Sequence, residues 1–289
     1  MSAKQMNSYD ERISNVCEYI YQHLDDELSL DKMSDIAAFS KYHFHRVFLA
    51  YTNMSVTKFI QLIRLKRASF RLAFEADKRI IDIALEARFD SPEAFSRAFK
   101  RTFEQSPSEF RLEPKWPEWY MRFDFKIQPY GEIKMNVDIV HFDTAKIAFI
   151  AHKGSPETVL ETAAKFIAWR KDTGLSPVKT SKTFGIPYSD PQITEPDQFR
   201  WDICGTITGD IPDNKYGVQI GEIKGGKCAL IRHEGSHDKL NQSIYYFFRE
   251  WLPQSGEEMR EQPLFFHYLN FIFEVDECDL ITDIYFPLK

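Results

Sequence analysis

The chain has 289 residues and a net charge of -6; it is 43% hydrophobic, 28% charged and 15% aromatic. That length predicts about two domains, and the composition excludes collagenous, low-complexity and disordered chains. No run approaches ~18 uninterrupted apolar residues and the first residues form no apolar segment, so a cytoplasmic protein with no membrane span and no secretion signal is expected. The cysteines Cys17, Cys204, Cys228 and Cys278 show no CxxC or Cys/His spacing, which predicts reduced thiols and no metal site.

The charge is unevenly spread. Residues 1–40 hold 3 basic and 8 acidic side chains, residues 41–112 hold 14 and 8, and residues 113–289 hold 20 and 27. A basic block inside an acidic chain points to a local polyanion contact, although a basic helix face can also be merely solvated.

Residues 10–112 read as helices. Ile13, Val16, Cys17, Ile20, Tyr21 and Leu24 draw one apolar stripe. Ser29, Ser40 and Ser55 are N-cap residues for helices over 30–38, 41–52 and 56–75. A further pair follows over 80–87 and 92–103. The pairs repeat each other: Ala37-Ala38-Phe39 aligns with Ala87-Arg88-Phe89, and Phe44-His45-Arg46-Val47-Phe48 with Phe95-Ser96-Arg97-Ala98-Phe99. Two helices joined by a tight turn, twice in one chain, predict two helix-turn-helix motifs.

In the third helix, Phe44, Val47, Phe48 and Tyr51 form the inward stripe, and Tyr42, His45, Arg46 and Leu49 the outward one. An outward stripe of aromatic, His and Arg side chains can read base edges, arginine taking guanine bidentately. The equivalent stripe in the second copy is Glu93, Ser96, Arg97 and Lys100, a mixture better suited to phosphate positioning than to sequence choice. The helix between the motifs is about 30 Å long, close to the ~34 Å between major-groove half-sites on one face of B-DNA. One chain, as a monomer or weak dimer, can then span two successive grooves of double-stranded DNA.

Segments Ser40–Phe48, Phe59–Ala68 and Phe89–Lys100 resemble the first recognition helix, the linker-helix signature and the second motif of the AraC/XylS family of bacterial transcription regulators. The resemblance implies DNA contacts from Ser40, Lys41, Tyr42, His45 and Arg46, and again from Ser91, Glu93, Ser96, Arg97 and Lys100, with RNA polymerase as a further partner. The family often carries Gly where Ala38 and Arg88 stand, at a turn position suited to positive φ.

Residues 113–134, with Pro114, Pro117 and Pro129 among Trp116, Trp119, Tyr120, Phe123 and Phe125, predict a packed strap. A second repeat follows. Ala148–Ser155 matches Ala229–Ser236, and each copy continues to a Trp with a Gly five residues on, Trp169 and Gly174, then Trp251 and Gly256. Strand-like runs at 180–188, 199–207, 264–271 and 279–286 complete a β-α-β-β pattern, twice, in an α+β domain over 135–289. Gly225 and Gly226 read as a hairpin turn. His152 and His233 sit at equivalent strand ends, which favours structural roles over chemistry. No catalytic spacing, phosphate loop or dinucleotide fingerprint appears, so neither enzyme activity nor a cofactor is expected.

Gly185–Pro191, Arg200–Cys204, Trp251–Gly256 and Pro263–Asn270 resemble the GyrI-like effector-binding domain. The resemblance implies a small-molecule effector between the two halves, small and largely apolar or aromatic, against Tyr188, Trp201, Phe266 and Tyr268. Relatives often place Glu at the Phe266 position, the carboxylate behind their cationic ligands and, in some, a hydrolase activity. The expected function is a DNA-binding regulator modulated by such an effector. The alternatives are a ligand-independent activator whose second domain docks a partner or stabilises the chain, and a toxin hydrolase fused to a DNA-binding domain.

Overall fold

Ser29, Ser40, Ser55, Ser91 and Ser106 each accept, through the side-chain hydroxyl, the backbone N–H three residues on. These caps satisfy donors that a helix start leaves unpaired, and they open α2 (Leu30–Ile36), α3 (Lys41–Thr52), α4 (Val56–Phe74), α6 (Pro92–Phe103) and α7 (Pro107–Leu112). α1 (Ala3–Gln22) precedes them, and α5 (Ile80–Glu86) starts without a side-chain cap. The computed structural model describes residues 3–123, 135–189 and 194–289, excluding the side chains of residues 3–10 and of Tyr42. The chain falls into two compact units, residues 1–133 with 276–278, and residues 134–275 with 279–289.

In the helical unit, Ile13, Val16, Ile20 and Leu24 of the first segment pack with Met33, Phe44, Phe48, Phe59 and Ile63 in one buried cluster. α6 buries Phe95, Ala98, Phe99 and Phe103 in the same way. Ala38 and Arg88, at equivalent points of the two turns, adopt φ of 51° and 60°. A side chain in that left-handed region crowds its own carbonyl, which glycine avoids. Between the pairs, α4 runs for 19 residues, about 28 Å. Arg67 on its buried side donates to the Asp25 carboxylate at 2.6 Å and to the Glu86 carbonyl at 2.9 Å. After α7, α8 (Trp116–Tyr120) packs Trp116 and Trp119 against Phe70, and the Trp119 indole N–H donates to the Ser69 hydroxyl at 2.7 Å. Residues 124–134 of the expected strap, including Phe125 and Pro129, lie outside the described residues.

The second unit holds one eight-stranded sheet among its described residues. The strands are β1 (Asp138–Phe142), β2 (Ala145–Lys153), β3 (Thr183–Pro187), β4 (Arg200–Thr206), β5 (Gln219–Ile223), β6 (Gly226–Glu234), β7 (Phe265–Tyr268) and β8 (Ile281–Pro287), ordered β1-β6-β8-β7-β3-β4-β2-β5 with antiparallel neighbours. α9 (Val159–Thr173) follows β2. After β6 comes a continuous helical run, α10 (Leu240–Tyr246), a π-helical turn over Phe247–Trp251, and α11 (Leu252–Ser255). The π turn holds one extra residue. It accounts for Trp251 lying one position further along its copy than Trp169 does.

The glycine pair does not make a hairpin. β5 pairs with β2, and β6 with β1, so the links 143–144 and 224–225 carry the chain from one half of the sheet to the other. The two links cross closely: a Cβ on Gly225 would stand 2.6 Å from both the Phe142 carbonyl oxygen and the Thr144 nitrogen. Each half therefore borrows its outer strand from the other. The sheet also curls. Phe142 on the outer β1 lies 4.8 Å, ring to ring, from Phe265 and 5.9 Å from Phe184 on the two central strands.

Candidate nucleic-acid interface and effector site

On α3, Phe44, Val47 and Phe48 are buried and Lys41, His45, Arg46 and Leu49 are exposed. The 3.6-residue period thus separates a core face from an outer face carrying His45 and Arg46. The Lys41 ammonium pairs with Asp31 at 2.5 Å. The Tyr42 side chain lies outside the described residues. On α6, Glu93, Arg97 and Lys100 are exposed and Ser96 is half-buried. Ser40 and Ser91 sit at the two helix starts with their oxygens taken by the N–H groups of His43 and Ala94. The structure thus brings His45 and Arg46 together on one outer face, and Glu93, Ser96, Arg97 and Lys100 on the other.

In the sheet unit, the two repeats meet at the β3–β7 ladder, where Gly185 pairs with Phe266. These are equivalent positions in the two copies, so this pair lies on the local two-fold axis relating them. Phe266 stacks on Trp201 at 5.4 Å and 16°, and Tyr268 lies 6.4 Å from Phe266. A Cβ on Gly185 would fall 2.6 Å from the Tyr268 hydroxyl and 3.0 Å from Trp201 Nε1. Glycine is needed there because both rings close over it. Phe266 is 2% exposed, packed among Ala229, Ile231, Leu240 and Phe247, with Trp201 and Tyr268 partly buried beside it. Burial pushes the Tyr268 phenol well above its ordinary pKa.

Tyr188 does not join these three. It follows β3 one step beyond the Pro187–Trp201 pair, and strand alternation turns it to the opposite face. There it is 46% exposed beneath the Arg200 guanidinium at 4.1 Å. Burial first, and then the Asp202 carboxylate, push its pKa up to about 12.

The histidines at the strand ends are latches. His152 Nδ1 meets the Thr162 hydroxyl at 2.8 Å and Nε2 the Ser155 carbonyl at 3.0 Å. His233 repeats this with Ser243 and Ser236 at 2.9 and 3.1 Å. With both ring nitrogens engaged and the rings buried, each histidine ties its strand end to the helix that follows.

Two features of this unit escaped sequence reasoning. Arg170 is 4% exposed and donates to the Ser176 and Thr183 hydroxyls; desolvation lowers its pKa to about 10. Its place one turn after Phe166 was the available signal. A cavity of about 560 Å³ also opens beside α9, lined by Lys153, Glu161, Lys165 and Tyr216, away from the aromatic trio. Nothing local in the sequence marks it. Among the described residues no group of His, Cys, Asp and Glu is arranged to hold a metal, and no helix is long and apolar enough to cross a membrane.

Comparison with known proteins bears on both units. Residues 33–113 match a helix-turn-helix domain family, and residues 135–289 match the GyrI-like small molecule binding domain. The probable transcriptional regulator YgiV of Escherichia coli K12 is 47% identical over 156 residues, 54% of this chain and 98% of that protein. The right origin-binding protein of the same strain is 37% identical over 249 residues, 83% of this chain and 84% of that protein. Among solved structures, EcmrR from a DNA complex covers 90% of this chain and 98% of its own at 14% identity, with a TM-score of 0.46. The chain belongs to the AraC-type helix-turn-helix transcriptional regulators that carry a GyrI-like small molecule binding domain.

Proposed function

We propose that this regulator reads double-stranded DNA through α3 and α6, set in successive major grooves by the α4 rod. His45 and Arg46, with Tyr42, choose the sequence, and Ser91, Glu93, Ser96, Arg97 and Lys100 fix the register on the backbone. Ser40 and Lys41 lie at the same helix start as the first set. The observation that carries this reading is the pairing of two capped three-turn helices, each with a buried aromatic face and an exposed polar face, at the ends of one 19-residue helix. Residues 1–112 are the DNA-binding part, 113–134 the strap and 135–289 the sensing part, itself built from two β-α-β-β modules. RNA polymerase is the downstream partner.

For regulation, a small, flat, largely apolar effector settles against Trp201 and Tyr268 with Phe266 behind them. It changes DNA affinity to the extent that it binds the two states of the chain differently. A second reading, in which the sheet unit only docks a partner or stabilises the chain, draws support from the 2% exposure of Phe266. Neither reading needs a catalytic group.

The test is a footprint of the full chain on duplexes enriched from a random library. Protection of two major-groove segments one helical turn apart is expected, and a single segment would sink the two-motif reading. Arg46→Ala is expected to weaken specific binding by ~1–3 kcal/mol and relax choice at one base pair. Arg97→Ala is expected to weaken all sequences evenly.

A further inference from the structure

A groove of about 490 Å³ lies in the helical unit, outside the outward stripe of α3. One wall is α4, with Gln61 and Arg64. The other is the second motif, with Arg88 in its turn and Arg97 and Arg101 on α6. Asp90 also lines it, so four arginines and one aspartate line the groove, with the Asp25 carboxylate acting on Arg64 and Arg88 from outside it. Arg64 is fixed in place, its Nε and Nη2 donating to the Leu24 and Asp26 carbonyls at 3.0 Å each. Burial, and then the nearby Arg88 and Arg67 charges, lower its pKa. Arg88, Arg97 and Arg101 are exposed, and no ion pair holds them among the described residues.

Arg88 adds an independent observation. Its backbone is left-handed, φ 60°, in an exposed turn where glycine would be free of strain. The equivalent turn holds the same left-handed conformation with Ala38, so the turn itself does not call for arginine, and a long cationic side chain beside three other arginines is an addition that the backbone geometry leaves unexplained.

We propose that this groove is a phosphate clamp: Arg88 and Arg101 hold DNA backbone phosphates where the duplex passes between the segments met by α3 and α6, with Arg64 as a fixed positive wall. The clamp rests on the DNA-binding reading and assigns it a second contact that carries no sequence information. Guanidinium donors suit phosphate oxygens bidentately. A contact on both α4 and the second motif would also hold the spacing of the two recognition helices once DNA is bound.

The experiment measures binding of the full chain to a mixed-sequence duplex across a salt series, with thermal unfolding in parallel. Arg88→Gly is expected to raise the midpoint of the helical unit by a few degrees while flattening the slope of log K against log salt by about 0.9, one phosphate contact. Arg101→Gln is expected to flatten the slope equally without the rise in midpoint. Ala38→Gly, the same backbone relief in the other turn, is expected to raise the midpoint and leave the slope alone. Wild-type slopes in both arginine variants, beside a wild type that binds with a steep slope, overturn the clamp and leave DNA binding standing. A wild-type chain that ignores duplex DNA at low salt overturns both. Tripolyphosphate without DNA tests a free anion as occupant. If it raises the midpoint of the wild type but not of Arg101→Gln, and both arginine variants keep the wild-type salt slope on duplex, the groove belongs to a free polyphosphate and the DNA assignment fails.

Discussion

The two halves of the sheet unit share a frame and differ at their junction. Both keep the strand-end histidine with its hydroxyl and carbonyl partners. Both keep a buried aspartate on the last strand, Asp202 and Asp283, in a two-pronged pair with an arginine, although Arg200 comes from the same strand and Arg232 from the neighbouring β6. At the local axis they part: Gly185 faces Phe266, Trp201 corresponds to Thr282, and Ile186 to His267. A symmetric glycine pair would leave a hole there and a symmetric phenylalanine pair would collide. Filling the junction requires the copies to be unequal. The helix-turn-helix copies teach the same lesson on their outer faces, where His45 and Arg46 of one correspond to Ser96 and Arg97 of the other, over matched buried phenylalanines.

The largest test of this inequality is Phe266→Ala. A ring 2% exposed among aliphatic neighbours should cost ~3–5 kcal/mol when removed, read by urea unfolding of the full chain. A loss below about 1 kcal/mol with altered effector affinity would make Phe266 an open wall of the site instead of its floor.

A smaller effect separates Ile186 from His267. Burial, and then the Lys182 charge, hold the His267 pKa down to about 4, against 6.5 for the free side chain. The unfolded chain therefore takes up this proton first as pH falls. Stability is fully present above about pH 6.5 and declines towards about pH 4. His267→Ile, which copies the other half, is expected to shrink the drop between about pH 7 and about pH 5, measured by unfolding at both. An unchanged drop would place the titration on other groups.

The smallest effect lies in the turns. Ala38→Gly removes left-handed strain at φ 51° and is expected to stabilise the helical unit by about 1 kcal/mol, read as a higher thermal midpoint. No gain would mean that the turn relaxes without glycine.

The helical unit was legible because its signals are local. A serine three residues ahead of a free N–H, and apolar residues at helical spacing, set α2, α3, α4 and α6 to within a residue or two of their ends. The sheet was legible where a strand buries several of its residues. β1 and β5 were missed because each buries a single residue, Phe142 and Ile223, so neither alternation nor an apolar run marks them. Strand exchange was hidden for a different reason. Lys224-Gly225-Gly226 suits a hairpin, and only the distant partner shows that the chain crosses instead. The same gap misplaced Tyr188, whose face is fixed by its register against β4 and not by its own neighbours in sequence.

The crossing links also bear on how the chain is made. During synthesis β1 leaves the ribosome with its partner unwritten: Asp138 must wait for Leu230. At typical elongation rates that delay is on the order of ten seconds, far longer than local helices need to form. Through that interval a nascent strand carries unpaired backbone groups, the kind of edge that invites other chains. The exchange that locks the finished sheet therefore makes its first strand wait longest for a first partner.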